Sequence, residues 1–378
     1  MAKRTVMCPL CFDKIKLSDI LYRCGNPACL GMADIARSAD EIHWLEKIGL
    51  KLPPRSVIHT KCGNLATKRI CPKCQQELPV NVDKLSNYSI AIIGAKDAGK
   101  SHYVAMLIHW IKKAGADFGW NLTELSDRTI ERYHQEFFKP LFEHHVPIDT
   151  TQAVRGGTAE PLIYSLNKGS KSIMLVFFDA AGENLNSADD MWYIERYICN
   201  ASGIICLLDP LQLTLVRREI GKKYGNDVLP DQHSDTASII NRVENIIRKH
   251  TDVGIRKLPI PLAVAFSKMD FVEAAGCNAE AIADRLSEET LHRGVFNETE
   301  FTEIDGLMRS WVEEVDISAG IIPQSQQFKK TGFFGFSALG CNPRSSNGNL
   351  EHDPKPNRVE DPFLWILKQC GVIKSIKG

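Results

Sequence analysis

An apolar run beginning at Ile90 breaks into Gly94-Ala-Lys-Asp97-Ala98-Gly99-Lys100-Ser101-His102, and an amphipathic stretch follows. Two glycines with four residues between them, then Lys-Ser, let successive backbone N–H groups face one anion. The helix expected to open at Gly99 adds its positive end. Lys100 is then placed to reach the outer phosphates of a nucleotide, and Ser101 to ligate Mg²⁺. Asp97, Ala98 and His102 fill the remaining positions around the phosphates.

Three further runs carry chemistry at the ends of apolar segments. Ser172–Asp179 ends in Asp179-Ala-Ala-Gly182-Glu183, an Asp-x-x-Gly pattern. An Asp there can hold the Mg²⁺ shell, and the Gly can bring its N–H to a γ-phosphate. Pro261–Phe266 ends in Ser267-Lys268-Met269-Asp270. This resembles the guanine-reading Asn/Thr-Lys-x-Asp motif, which implies that Asp270 accepts from both N1–H and N2–H₂ of guanine, a donor pair that adenine lacks, and that the Lys268 stem covers the base plane. Last, Ser337-Ala338-Leu339 resembles the Ser-Ala-Lys/Leu loop that offers a backbone N–H to guanine O6.

In this order, each at a strand end, the four runs resemble the translation-factor-and-Ras-related (TRAFAC) class of GTPases over roughly residues 87–375. The Phe-Phe-Asp179-Ala-Ala-Gly-Glu phrase and the cysteine-rich N-terminus further resemble the double-GTPase proteins of prokaryotic conflict systems. That resemblance implies GTP or GDP with Mg²⁺ as ligands, a defence-associated switch, and a companion protein encoded nearby. It also implies a Thr that senses the γ-phosphate through Mg²⁺ just before the second strand. Thr150, Thr151 and Thr158 are candidates, and Thr158 suits the spacing best. Glu183 stands where Ras-like proteins carry a water-positioning Gln; a carboxylate there repels the γ-phosphate, so intrinsic turnover should be slow. Arg155 precedes Thr158 by the offset of the built-in arginine finger in heterotrimeric G-protein α subunits. A solvated arginine in a glycine-rich loop is the plainer reading of the same residue.

Seven of the twelve cysteines fall in the first 74 residues. Without a signal-peptide core the chain is expected in the cytoplasm, where paired cysteines read as metal sites. Cys8-x₂-Cys11, Cys24-x₄-Cys29, His59-x₂-Cys62 and Cys71-x₂-Cys74 form four ligand pairs, enough for two tetrahedral Zn²⁺ ions. Sequential pairing would join Cys8, Cys11, Cys24 and Cys29, then His59, Cys62, Cys71 and Cys74. Cross-bracing is an alternative, as is a single ion on the two Cys-x₂-Cys knuckles. Residues 1–86 hold 14 Lys and Arg against 8 Asp and Glu, a net of +6 that leaves −6 for the remainder. Lys61, Lys68, Arg69 and Lys73 around the last knuckle would suit nucleic acid or an acidic protein partner. A purely structural module is the plainer reading.

These groups need a frame. At 378 residues with 44% hydrophobic content, the chain is large enough for a full α/β core plus a small module. It has no apolar run long enough to span a membrane. Strands are expected near Ile90, Pro161–Leu166, Ser172–Asp179, Gly203–Asp209, Pro261–Phe266 and Gly332–Phe336. Helices are expected near Lys100–Ala114, Glu124–Phe142, Thr236–His250, Ala279–Glu289 and Pro362–Cys370. Their alternation predicts an α/β fold: a mostly parallel, doubly wound sheet with ligands at the carboxyl ends of its strands. A zinc-ribbon-like module (1–86) should precede a nucleotide-binding domain (87–378). Three functions compete: a GTP-hydrolysing switch, a weakly hydrolysing GTP-binding scaffold, and a nucleotide kinase or ATPase. Lys268 and Asp270 disfavour the last.

Overall fold

The computed structural model describes residues 5–29, 43–47, 53–95, 97–148, 161–169, 171–177, 188–232, 236–277, 279–318, 320–341, 349–350 and 352–377. Four parallel strands form its centre: β2 (Ile90–Gly94), β6 (Gly203–Leu208), β7 (Leu262–Phe266) and β8 (Thr331–Gly335), in the order β8-β7-β6-β2. Each is a nearly unbroken apolar run because both its faces are covered. Ile204, Cys206, Leu208, Val264 and Phe266 face one hydrophobic layer. Ile205, Leu207, Ala263 and Ala265 face the other.

Helices supply both layers, as the doubly wound expectation requires. On the first side lie α3 (Ala188–Cys199), α4 (Thr214–Tyr224), α5 (Thr236–His250), α7 (Glu280–Ser287) and α8 (Glu298–Val315). On the second lie α1 (Lys100–Ala114) and α9 (Asp361–Gln369). Helix α8 starts where the Asn297 side chain accepts from the N–H groups of Thr299 and Glu300, satisfying two orphan donors.

A second four-stranded sheet lies beside β2, in the order β1-β5-β4-β3. Its members are β1 (Ser86–Asn87), β3 (Asn121–Glu124), β4 (Leu162–Lys168) and β5 (Lys171–Phe177). Strand β4 is antiparallel to both neighbours, while β5 runs parallel to β1. The parallel ladder does not continue from β5 to β2 because a side chain is inserted there. The buried Tyr197 hydroxyl, from α3, donates to Ile90 O at 2.6 Å and accepts from Ile92 N–H at 3.2 Å. It also lies 3.4 Å from Val176 O. One phenol thus satisfies both the carbonyl and the N–H of β2 that a direct pairing would have used.

The helix expected over Glu124–Phe142 is corrected. Glu124 ends β3, and α2 (Asp127–Arg132) begins only after Ser126, whose hydroxyl accepts from Thr129 N–H. The chain then winds as a wider π-helix over Tyr133–Glu143, with Pro140 inside it. Proline lacks the N–H and its ring crowds the preceding turn, so a tight helix is disfavoured there.

In the N-terminal region, three short antiparallel pairs, Thr5–Met7 with Lys14–Lys16, Leu21–Arg23 with Lys68–Ile70 and Val57–Ile58 with Leu65–Ala66, hold the cysteine turns. The module touches the larger domain through its first turn. The Phe12 ring lies 5.1 Å from that of Tyr197, and Asp13 pairs with Arg196.

Candidate functional site

The phosphate loop forms as the residue types dictate. Gly99 takes φ +81° as the cap before α1, a conformation that side chains resist. A Cβ on Gly94 would stand 2.6 Å from Leu207 O, so the approach of β2 to β6 demands glycine there. Lys100 is the first residue of α1 and largely buried; its ammonium donates to Gly94 O at 3.0 Å and Ala95 O at 2.8 Å. It spans the loop at the place a nucleotide's outer phosphates would take. The half-buried Ser101 follows and Ala98 is fully buried behind the loop. The glycine-lined cradle with a lysine across it fits a polyphosphate, and Ser101 is the described residue that would hold Mg²⁺.

The base-side groups converge from the ends of β7 and β8. Lys268 adopts φ +56°, and its ammonium donates to Asp97 O at 2.9 Å, tying this loop to the phosphate loop. It also pairs with Asp209 Oδ2 at 2.6 Å. Asp270 lies in the first turn of α6 (Met269–Ala275). Burial pushes its carboxyl up, while the Ser337 hydroxyl, nearby N–H groups and the Lys268 charge pull it down. Ser337 accepts from Gly340 N–H, and Ala338 and Leu339 are almost fully buried beside it. Met269 N–H donates to Phe336 O, fastening the two loops together. Ser267 bonds back to Leu208 O from the end of β6.

His102 serves the backbone. Its Nε2 accepts from Ile148 N–H at 3.0 Å, anchoring the chain just before the segment with Thr150, Thr151, Arg155 and Thr158. Burial and then the Lys268 charge push its pKa down to about 4, so it is neutral and able to accept. Those four residues, and Asp179, Gly182 and Glu183, lie outside the described residues.

Two tetrads assemble in the N-terminal module, and they correct the sequential pairing. The outer pairs join, as Cys8, Cys11, Cys71 and Cys74; the inner pairs join, as Cys24, Cys29, His59 and Cys62. This nesting is also not the cross-braced arrangement. Sulfurs stand 3.8 Å apart for Cys8–Cys74, 3.9 Å for Cys11–Cys71 and 3.6 Å for Cys24–Cys62. A tetrahedron with Zn–S bonds of about 2.3 Å has edges near 3.8 Å. His59 Nδ1 lies 3.2 Å from Cys62 Sγ, so this nitrogen faces the site. Both tetrads fit zinc. Strand order explains the nesting: Leu21–Arg23 pairs with Lys68–Ile70, which brings the two ends of the module together. Of the basic cluster, Arg69 is buried against Asp83 at 2.6 Å and Lys68 pairs with Glu77, while Lys61 and Lys73 are exposed.

Sequence reasoning missed Asp209 and Tyr197. Asp209 had a readable signal, being an Asp at the end of an apolar strand like Asp179. Tyr197 had none, since its role depends on where α3 packs.

Comparison with known proteins places this geometry. The family described as Double-GTPase 2 matches residues 88–322, more than half of the chain. A Mycolicibacterium smegmatis protein, SaeC, is 27% identical over 342 residues, which cover 85% of each chain. Its name assigns it to ESX-1 scaffolding and assembly.

Proposed function

The chain belongs to the Double-GTPase 2 family, and from that premise we propose that it is a guanine-nucleotide switch that hydrolyses GTP slowly and docks protein partners. Residues 1–86 form its zinc-binding module and 87–378 its nucleotide-binding domain. The observation that carries this reading is the Lys268 bridge. The base-reading loop is fastened to Asp97 of the phosphate loop, so one rigid cradle can hold both ends of a nucleotide.

In this reading Gly94, Asp97, Ala98, Gly99 and Lys100 hold the phosphates, and Ser101, Thr158 and Asp179 hold Mg²⁺, which neutralises phosphate charge. Lys268, Asp270, Ser337, Ala338 and Leu339 hold guanine. In the same reading Gly182 would report the γ-phosphate, Glu183 would orient the attacking water and Arg155 would act as the built-in finger on the phosphoryl group. The two tetrads each take Zn²⁺. No helix among the described residues is long and apolar enough to cross a membrane, and we place the protein in the cytoplasm.

A second reading is a guanine-nucleotide-dependent scaffold with little hydrolysis. The SaeC name favours assembly as the setting over the defence setting that family resemblance suggests. Competition binding of GDP, GTP and ATP, with single-turnover GTP hydrolysis, separates these readings. Equal affinity for ATP and GTP would remove the guanine assignment. GTP binding without turnover would leave the scaffold.

A further inference from the structure

The two cysteine knuckles are built alike, yet one residue differs in a way that zinc binding does not explain. In the first, Phe12 N–H donates to Cys8 O, and Cys8 N–H to Asp13 O, both at 2.9 Å. In the second, Gln75 N–H donates to Cys71 O at 3.0 Å, and Cys71 N–H to Gln76 O at 2.9 Å. Phe12 and Gln75 both adopt the left-handed conformation, with φ of 58° and 60°. A bulky aromatic is an unusual choice there, and Gln75 shows that the knuckle does not need one. Gln75 is exposed, whereas Phe12 is fully buried, against Tyr197 of the larger domain.

Tyr197 is itself the wedge between β2 and β5, with its hydroxyl on Ile90 O and Ile92 N–H. Strand β2 leads directly into Gly94 and the phosphate loop. Helix α3, which carries Tyr197, follows the segment with Asp179 and Gly182. The neighbouring Arg196 pairs with Asp13 and lies 4.0 Å over the Trp192 ring. A continuous packed path therefore runs from the outer metal tetrad, through Phe12 and Tyr197, to the root of the phosphate loop.

We propose that Tyr197 is a positioning residue for nucleotide, and that Phe12, held by the outer zinc knuckle, sets its place. The zinc module is then an internal brace of the nucleotide site and not only a docking element. This inference rests on the nucleotide-binding reading above. It requires that loosening Phe12 frees the Tyr197 ring, weakens its hold on β2, and lets nucleotide leave faster without disturbing the metal.

The test uses the full zinc-loaded chain. Phe12→Gln copies the second knuckle, and Tyr197→Phe removes only the hydroxyl. Release of a fluorescent GDP should accelerate about tenfold in each, within the usual range of site-to-site coupling. The double variant should release no faster than the more affected single one. Zinc content by elemental analysis should be unchanged in all three. Hydrogen exchange at residues 90–94 in the nucleotide-free protein should rise in both single variants. A truncation inside the module's own core, Ile15→Val, should alter neither readout. Wild-type release and exchange in zinc-replete Phe12→Gln would overturn the proposal. So would loss of zinc in Phe12→Gln, or an equal effect from Ile15→Val. If the wild type binds no guanine nucleotide, the functional reading fails and the exchange comparison alone decides this one.

Discussion

The Lys268 ammonium is held 2.6 Å from Asp209 Oδ2, and the Asp209 side chain is only 1% exposed. The other carboxylate oxygen accepts from Leu211 N–H at 2.9 Å. Asp209→Ala removes both contacts and leaves the Lys268 position to the Asp97 carbonyl alone. Guanine-nucleotide affinity should fall about tenfold, the scale of one charge-assisted hydrogen bond. Asp209→Asn keeps an acceptor for Leu211, so it should restore thermal stability more than it restores affinity. Titration calorimetry beside melting curves resolves the two effects.

Asp270→Asn should cost guanine nucleotides roughly 1–3 kcal/mol in binding and leave ATP nearly unchanged. The carboxylate must be ionised to accept from two guanine donors. Burial raises its pKa, so protonation sets in at higher pH than for an ordinary aspartate. GDP affinity should therefore decline on acidification earlier than nucleotide-phosphate chemistry alone requires. Dissociation constants measured from neutral pH downward, for wild type and Asp270→Asn, check both statements; an identical GDP affinity in the variant would refute them.

Lys100→Ala should abolish nucleotide binding with the fold preserved. Lys100 donates to the Gly94 and Ala95 carbonyls of its own loop. Its loss thus leaves the helical core of α1 intact, and circular dichroism should match the wild type. Hydrolysis at the wild-type rate in this variant would reject the phosphate-loop assignment.

Nested metal pairing has a decisive double substitution. Cys8→Ser with Cys71→Ser strikes one tetrad, so one zinc per chain should remain. Under sequential pairing the same double variant would damage both sites and hold none. Each intact structural site is worth on the order of 10 kcal/mol to its module. Zinc counted by elemental analysis on carefully desalted protein gives the answer.

Glu360 is buried at the start of α9 and its pKa is pushed up to about 7, chiefly by burial and then by Asp361, against the pull of His292 and Arg358. The folded state therefore holds this proton more tightly than the unfolded chain, where the usual value of 4.5 applies. Its contribution to stability is complete below pH 4.5 and is lost as pH rises through about 7. Glu360→Gln should flatten that part of the stability profile and exceed the wild type at pH 8 by on the order of 3 kcal/mol, the size that linkage gives for this shift. Denaturant melts at pH 5 and pH 8 test the sign directly.

How far sequence carried the fold depended on whether local chemistry settled the question. Helices Lys100–Ala114 and Thr236–His250 stand as expected, because periodicity and flanking residues agree. The strands that end in motif residues were likewise legible, since buried parallel strands are short apolar runs between turns. Helix α8, the longest among the described residues, was not expected, although Asn297 before Glu298 and Glu300 is a capping pattern. The ligand types for metal were readable from spacing, but their pairing was not: it is decided by which short strands join, and that is a long-range fact. The Tyr197 wedge was invisible for the same reason. No local preference announces that a helical tyrosine will stand in for a strand.

Nested pairing also couples the two metal sites through the chain that they share. The outer site joins Cys11 to Cys71 across 60 positions of chain, while the inner joins Cys24 to Cys62 across 38 of them. Once the inner ion is in place, most of that chain is already gathered, and closing the outer ring costs about 1 kcal/mol less in lost chain freedom. The saving is mutual, so each ion favours closure of the other's site. The outer site's turn carries Phe12, so its contact with Tyr197 is best supported in a chain that holds both ions.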